Sequence, residues 1–336
     1  MDAHENLPSS GIDRRQFLKL GAALGVGALL TSCVAGHETA TPSRVSTVPD
    51  THPEDTAPQY EDPIGEAPTT PRRRVERDPA TTSWSYNFQK LPSGSLPAAD
   101  WNFETGVKAA SYNKEAQVYT SRPENVRIEN GVLVLEARKE NFAGRRYTSA
   151  RINTEGKFSF QYGHLDVDMM LPQGVGTWPA AWLLPRAGIY KPGSFGIAES
   201  DPNVWALNGE IDFEEAIGSI PRQNIPATHS YNSLQRPTVY TPVTVDTAYT
   251  AFHKYGVTKT PDAITFTLDG KPYATRTRSS EDPREWPFNQ PYYLVLNLAM
   301  GGDWAGTNTA EFPPDGIDSS AGSWQLKVRS IEYAPL

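Results

Sequence analysis

The sequence predicts an all-β fold, an antiparallel sandwich or barrel, from about Trp84 to the C-terminus. Stretches rich in β-branched and aromatic residues recur at 132–140, 162–171, 263–277 and 292–300. Asp269-Gly270, inside the third stretch, is typical of a hairpin turn. No amphipathic helical pattern exceeds two turns, so the helical crossovers of a parallel sheet are not expected.

Charge and cysteine content exclude several classes of function. The chain has 336 residues and a formal net charge of −8 at pH 7, so nucleic acid and anionic membrane surfaces are not expected partners of the folded domain. Cys33 is the only cysteine, which excludes a disulfide within one chain and a cysteine-based metal site. The histidines are too scattered for a zinc motif.

The N-terminus has the features of an export signal. Paired arginines stand in DRRQFLK (13–19), and the apolar stretch GAALGVGALL (21–30) is too short to span a bilayer as a helix. LTSC (30–33) resembles the lipobox of bacterial lipoproteins that use the twin-arginine pathway. We expect cleavage after residues 1–32 and a lipid anchor on Cys33, at the outer face of the cytoplasmic membrane. The alternative is an ordinary signal peptide, an incidental cysteine and a secreted protein.

A linker is predicted between this signal and the β domain. Residues 34–81 hold eight prolines and neither Trp nor Phe. Such a composition cannot bury enough apolar surface to offset the entropy lost on ordering. We therefore expect residues 33–81 to be a disordered tether and residues 82–336 to form one folded domain.

The acidic stretch NGEIDFEEAIG (208–218) is the strongest candidate for a functional site. On a strand, Ile211 and Phe213 would face the core, and Glu210 and Asp212 would face the opposite side. A solvated acidic strand is one interpretation. Cleavage of a glycosidic bond is a more specific one, because it requires a carboxylate at the anomeric carbon and a carboxylic acid at the leaving oxygen.

Two tryptophans form a second candidate feature. In TWPAAWLL (177–184), Trp178 and Trp182 share one face of a predicted strand. Rings at this spacing suit a platform for the apolar faces of sugars, and they equally suit a pair of core residues. Periodicity alone leaves both interpretations open.

These features together resemble a known family. EIDFEE is similar to the E-x-D-x-x-E signature of glycoside hydrolase family 16, in its bacterial laminarinase (endo-β-1,3-glucanase) branch. The similarity continues in the same order along most of residues 84–334, through WNFETG (101–106), NKEAQVYT (113–120), RPENVRIENGVLVLEARKE (122–140), YTSARINTEGKFSFQYG (147–163), GTWPAAWLLP (176–185), FHKYGVTKTPDAITFTLDG (252–270) and WPFNQPYYLVLNLAMGGDW (286–304). The resemblance implies a β-jelly roll with a concave substrate cleft, and hydrolysis with retention of configuration by double displacement.

The resemblance also implies residue roles. Glu210 corresponds to the nucleophile, Asp212 to the assisting acid and Glu215 to the general acid/base. The residues that match substrate-binding positions are Asn113, Arg151, Trp178, Trp182, Trp205, His229 and Asn297. For Arg151, His229 and Asn297 the alternative is a purely structural role, in a salt bridge, a backbone hydrogen bond or a strand end.

The identity of the acid/base depends on the register of the acidic strand. Lichenase-like members have E-x-D-x-E on a regular strand, which fits Glu214, whereas laminarinase-like members have a β-bulge, which fits Glu215. Gly218 follows Glu215 by three residues, as in the laminarinase pattern. A regular strand would also bury Glu215 unpaired beside the core, which is unfavourable. A bulge and Glu215 are therefore predicted, and the role of Glu214 stays open.

The spacing of the two carboxyl groups sets a condition on this prediction. Five residues of strand span about 16 Å, whereas the carboxyl groups of retaining enzymes lie about 5–5.5 Å apart. The bulge, the curvature of the sheet and the lean of the side chains must therefore bring Glu210 and Glu215 together.

Partners and cofactors complete the prediction. Arg329 and Asn87 stand where calcium-binding relatives have acids, so neither a structural calcium nor another cofactor is expected. Residues 186–208 form a long connection at one end of the cleft. We expect a monomer that acts on a polysaccharide, with endo-β-1,3-glucanase as the leading function. The alternatives are the same chemistry on agar, carrageenan, mixed-linkage glucan or a wall galactan, and a non-catalytic glucan-binding lectin.

Overall fold

The computed structural model describes residues 78–111, 113–235, 241–306 and 316–336. The predicted signal peptide, Cys33 and all but the last few residues of the predicted tether lie outside the described residues. Within the described ranges, no helix combines the length and the apolar composition needed to cross a membrane.

Strands are the main regular secondary structure of the described residues, and the helices are short. The strands are β1 (Trp84–Asn87), β2 (Asn102–Phe103), β3 (Gln117–Tyr119), β4 (Val126–Glu129), β5 (Val132–Phe142), β6 (Arg145–Ser149), β7 (Arg151–Asn153), β8 (Gly163–Met170), β9 (Thr177–Pro185), β10 (Glu210–Glu215), β11 (Gln223–Asn224), β12 (Ala227–His229), β13 (Val243–Thr244), β14 (His253–Lys259), β15 (Ala263–Leu268), β16 (Lys271–Thr277), β17 (Tyr292–Met300) and β18 (Ser323–Ala334). Single helical turns lie at Lys108–Ser111 and Gly302–Ala305, and 3₁₀ turns at Phe88–Lys90, Ser194–Gly196, Val204–Asn208, Ser233–Gln235 and Ser319–Ala321.

The strands form two main sheets. The larger sheet has ten strands, in the order β16-β15-β14-β8-β18-β5-β6-β3, with β1 joined to β18 and β4 to β5. The smaller sheet has six strands in the order β12-β10-β9-β17-β7-β2, and β11 pairs with β13 separately. Among the described strands, only the pairing of β3 with β6 is parallel. The predicted all-β jelly-roll sandwich is confirmed.

Several strands and one hairpin turn lie where the sequence predicts them. The stretches predicted as strands correspond to β5, β8, the β15–β16 hairpin and β17. Asp269 and Gly270 have φ values of 49° and 74°, as the two central residues of a type I′ turn require. Leu268 pairs with Lys271 across this turn, so the hairpin forms where the sequence predicts it.

The main apolar core lies between the two sheets. Ile211 and Phe213 of β10 are fully buried, as are Val257 of β14 and Phe266 of β15 from the larger sheet. Because successive strand residues point to opposite faces, the other face of the six-stranded sheet carries a different set of side chains. We call this the cleft face; it includes Trp178, Trp182, Asp212, Glu215 and Asn297.

Candidate active site

The acidic strand β10 contains the predicted β-bulge. Its pairing with β9 shifts by one residue between Asp212 and Glu214, so that Phe213 is the additional residue of β10. Phe213 and Glu214 are both fully buried. Because Phe213 and Glu214 both lie on the core side, the alternation of faces shifts by one residue. Glu215 therefore lies on the same face as Asp212.

Asn224 holds the bulge in place. Its Nδ2 donates to the carbonyl oxygen of Phe213 at 3.0 Å, and its Oδ1 accepts from the backbone N–H of Glu215 at 2.9 Å. The same Nδ2 donates to the hydroxyl of Tyr273 at 2.9 Å, and Asn224 is fully buried. Sequence reasoning missed this residue, because a single Asn in the stretch after the motif belongs to no recognisable pattern.

Close packing explains the two glycines that flank the motif. A Cβ on Gly218 would lie 1.6 Å from the carbonyl oxygen of Gly174. Gly209 has a φ of 79°, and a Cβ there would lie 2.6 Å from the hydroxyl of Tyr292. The chain is therefore restricted to glycine on both sides of β10.

A histidine from the neighbouring strand contacts the acids. The register of β10 with β12 places His229 opposite Glu210. The Nε2 of His229 lies 3.1 Å from Oδ2 of Asp212 and 3.9 Å from Oε1 of Glu210. The three groups lie within 4.8 Å of one another, a spacing that a cation could bridge. A pair of acids that acts directly on a substrate would have the same arrangement, and we assign no metal to these three residues.

Trp178 contacts Glu215 directly. Its indole Nε1 donates to Oε1 of Glu215 at 2.9 Å. Trp178 is only 5 % exposed and packs edge-on against Trp304, with ring centroids 5.2 Å apart. It belongs to a small apolar cluster separate from the main core. The ring thus lies on the cleft side, and its indole N–H orients one oxygen of Glu215.

Three of the predicted substrate-binding residues form a contiguous set. Nε1 of Trp182 donates to Oδ1 of Asn297 at 2.7 Å, and the guanidinium carbon of Arg151 lies 4.7 Å from the centre of the Trp182 ring. Asn297 and Arg151 are opposite each other in the pairing of β17 with β7. Nε of Arg151 lies 2.9 Å from the carboxylate of Glu104, which keeps the guanidinium in place.

A buried glutamate lies next to this set. Glu115 accepts hydrogen bonds from Asn113 at 3.0 Å, from Gln117 at 2.6 Å and from Tyr119 at 3.1 Å. Burial raises the pKa of Glu115, although these hydrogen bonds and the charge of Arg151 act in the opposite direction. Glu115 was present in the matched stretch 113–120 and was not singled out from the sequence.

Three further positions discussed from the sequence are Trp205, Arg329 and Asn87. Trp205 is 46 % exposed, and its ring centroid lies 5.7 Å from that of His229, so it borders the acidic cluster. Nε of Arg329 donates to Oδ2 of Asp168 at 2.6 Å. Oδ1 of Asn87 accepts from the backbone N–H of Gln89 at 2.9 Å.

In a regular strand Glu214 would lie on the cleft face; because of the bulge it lies on the core side. Its side chain is fully buried, and within the described part of the chain neither carboxyl oxygen makes a well-aligned hydrogen bond. Burial raises the pKa of Glu214 well above its ordinary value, and the charge of Glu215 raises it further, with only the backbone of Ala181 opposing. Both effects favour the neutral form of Glu214 in the folded protein.

The substitution Glu214→Met is expected to raise the free energy of unfolding by about 1–3 kcal/mol at pH 7, because it removes a buried carboxyl group that lacks a compensating partner. Folding raises the pKa of Glu214. Below the unfolded pKa of about 4.3 the carboxyl group is protonated in both states, and folding then carries no cost from its ionisation. As pH rises towards the folded pKa, the group ionises in the unfolded state first, and the folded state loses stability. The gain should thus grow from pH 4 to pH 7.

Urea unfolding at pH 4 and at pH 7 measures this gain. Glu214→Gln is the matched control, since it removes the ionisation and keeps a polar group; a smaller gain with the same trend in pH is expected. Destabilisation by both substitutions would show that Glu214 has a favourable partner in the core.

Comparison with known proteins agrees with this geometry. Residues 113–312 match the model for glycosyl hydrolases family 16, and residues 11–31 match the signal sequence of the twin-arginine translocation pathway, which confirms the predicted export signal. A beta-glucanase from Rhodothermus marinus is 38 % identical over 253 residues, which cover 73 % of this chain and 82 % of the relative.

Two further relatives extend the similarity. Glucan endo-1,3-beta-glucosidase A1 from Niallia circulans is 30 % identical over 259 residues, 69 % of this chain and 36 % of that protein. The X-ray structure of the laminarinase from Rhodothermus marinus superposes with a TM-score of 0.66 at 36 % identity, covering 75 % of this chain and 96 % of that one. An exported chain with this fold, this acidic strand and these relatives belongs to glycosyl hydrolases family 16 and is a glycoside hydrolase.

Proposed function

We propose that the protein is a retaining endo-β-1,3-glucanase that acts on laminarin-like polysaccharides. The observation that carries the proposal is the bulge in β10, which puts Glu210, Asp212 and Glu215 on one face of one strand. The relatives named above as a beta-glucanase, a glucan endo-1,3-beta-glucosidase and a laminarinase support the choice of glucan.

The first chemical step is the formation of a glycosyl-enzyme. The carboxylate of Glu210 attacks the anomeric carbon while the glycosidic C–O bond breaks, and the carboxylic acid of Glu215 gives its proton to the leaving oxygen. In the second step Glu215, now ionised, takes a proton from water as the water oxygen attacks the anomeric carbon and Glu210 is released. Two inversions give net retention of configuration.

The neighbouring groups position this pair. The indole N–H of Trp178 binds one oxygen of Glu215, so the proton to be transferred belongs on the other oxygen. His229 holds Asp212 at 3.1 Å, beside Glu210. Trp182, Arg151 and Asn297 then form the surface for neighbouring sugar units, with an aromatic ring for the C–H faces and polar groups for the hydroxyls.

Release of reducing sugar from a panel of polysaccharides tests the proposed specificity. The purified protein is incubated with laminarin, lichenan, agarose and carrageenan under the same conditions. We expect the highest kcat/KM on laminarin, with a range of oligosaccharides as early products because cleavage is internal. Preference for agarose or carrageenan, or binding of laminarin without cleavage, would overturn the proposal in favour of another polysaccharidase or a lectin.

We also propose that the exported protein is retained at the cell surface by a lipid on Cys33. Its support is the position of the only cysteine, two residues after the end of the export signal at residues 11–31. In an expressing bacterium, glucanase activity should remain with the membrane fraction, and Cys33→Ser should release it to the soluble fraction. Equal release of both proteins would indicate ordinary secretion.

A further inference from the structure

The connection between β9 and β10 presents an apolar surface beside the acidic cluster. In the described part of the chain, four large apolar side chains are exposed: Ile189 (54 %), Phe195 (45 %), Trp205 (46 %) and the C-terminal Leu336 (73 %). Three of these belong to residues 186–208, which we call the cleft loop. Isolated apolar residues are normal on a protein surface, whereas their concentration in one loop beside a binding site indicates contact with a ligand.

The cleft loop is anchored at several points. The backbone of Tyr190 exchanges two hydrogen bonds with the side-chain amide of Asn208, at 2.9 and 2.8 Å, which closes the loop on itself. The hydroxyl of Tyr231, shortly after β12, donates to the carboxylate of Asp201 at 2.8 Å. The backbone N–H of Arg186 donates to the carbonyl oxygen of Pro291 at 2.8 Å. The exposed rings are therefore carried on a braced segment.

Phe195 has an unfavourable backbone conformation. Its φ and ψ values are 58° and 19°, in the left-handed region that bulky residues rarely occupy. Glycine or asparagine would adopt this conformation at lower energy. Residues with backbone strain of this kind cluster at catalytic and ligand-binding sites.

The Phe195 ring has both apolar and charged neighbours. Its centroid lies 5.3 Å from that of Tyr190, and the guanidinium carbon of Arg284 lies 5.8 Å from it. Arg284 is fixed by Asp282, with Nη2 to Oδ2 at 2.8 Å. The carbonyl oxygen of Arg284 accepts from the backbone N–H of Asn232 at 2.9 Å, which links this group to the chain that follows β12.

Trp205 brings the cleft loop next to the acidic cluster. The Trp205 ring lies 5.7 Å from His229, whose Nε2 lies 3.1 Å from Asp212. The loop also leaves β9 at Pro185 and returns to β10 at Glu210, so it borders the end of the sheet where Glu210 lies. A polysaccharide chain held at the carboxylates would extend towards this surface.

We propose that the cleft loop forms an additional sugar subsite, in which Phe195 stacks on a glucosyl unit distant from the cleaved bond and Arg284 donates hydrogen bonds to its hydroxyls. The inference rests on the proposed glucanase function, because the occupant is a further unit of the same glucan chain. An aromatic face suits a β-linked glucosyl ring, whose axial C–H groups make both faces apolar, and a guanidinium is a fork of donors for vicinal hydroxyls. Phe195 is thus a specificity-determining residue for chain length.

The test compares β-1,3-gluco-oligosaccharides of increasing length as substrates of the unmodified protein, Phe195→Asn and Ser200→Ala. Phe195→Asn should lower kcat/KM on the longest substrates by about 3–10-fold, through KM, and leave the shortest cleaved substrate within about twofold. Its melting temperature should not fall, since Asn relieves the left-handed strain. Ser200→Ala, at an exposed position of the same loop that has no ring, should leave the whole profile unchanged.

Three outcomes overturn the inference. A loss of equal size at every chain length would show that Phe195 acts on the carboxylates or on the fold, and an unchanged profile would show that no sugar binds there. In both cases an active unmodified protein leaves the glucanase function standing. If the unmodified protein cleaves none of these glucans, the proposed function fails and the occupant named here fails with it.

Discussion

Replacing Glu210 with alanine is expected to lower kcat on laminarin by about 10⁴-fold or more, while the affinity for glucan stays within about threefold. The substitution removes the atom that attacks the anomeric carbon. It leaves Trp182, Arg151 and Asn297, which we assign to sugar binding, unchanged. This variant should therefore bind glucan without cleaving it at a substantial rate.

Single-turnover hydrolysis and titration calorimetry on the same preparation measure both quantities. Glu124→Ala is a suitable control, because Glu124 is an exposed glutamate in the turn before β4 of the other sheet. Substantial residual hydrolysis by Glu210→Ala, at more than about one tenth of the unmodified rate, would remove Glu210 from the role of nucleophile.

The second large effect concerns the two adjacent glutamates. Glu215→Gln is expected to lower kcat by about 10²–10⁴-fold, since an amide cannot give a proton to the leaving oxygen. Glu214→Gln should change kcat by less than about threefold, because Glu214 is buried on the core side of the bulge. The pair is a matched comparison: the same chemical change is made at neighbouring positions of one strand.

The pH dependence of the rate gives a second readout for this pair. The unmodified protein and Glu214→Gln should both lose activity at high pH, where the acid/base is ionised, whereas the residual rate of Glu215→Gln should lose this limb. The reverse order of damage, with Glu214→Gln the more severe change, would mean that the strand functions in the regular register and that the bulge does not define the site.

Local sequence patterns predicted the strands and the face of Glu215. Ile211 and Phe213 alternate with acids, and this alternation leaves Glu215 out of phase with Asp212 unless one residue is added to the strand. The cost of burying Glu215 therefore pointed to the bulge before any packing was known. The structure has this additional residue: the pairing of β10 with β9 shifts register between Asp212 and Glu214.

The supporting residues could not be predicted, because their roles arise from contacts between distant parts of the chain. Asn224 fixes the bulge through the backbone of Phe213 and Glu215, and no spacing rule links it to the motif. Periodicity could not decide between a platform and a core role for Trp178, because the small cluster around it on the cleft side forms only in the fold. The burial of Glu214 likewise follows from which residue the bulge displaces.

We propose that Glu210 and Glu215 act as the nucleophile and the acid/base of a retaining glucanase. The most direct test is proton NMR of a β-1,3-gluco-oligosaccharide during hydrolysis, recorded faster than the new reducing end mutarotates. With retention of configuration, the β-anomer of the product appears first and the α-anomer follows by mutarotation. Initial release of the α-anomer would show direct displacement by water and would contradict the covalent role of Glu210.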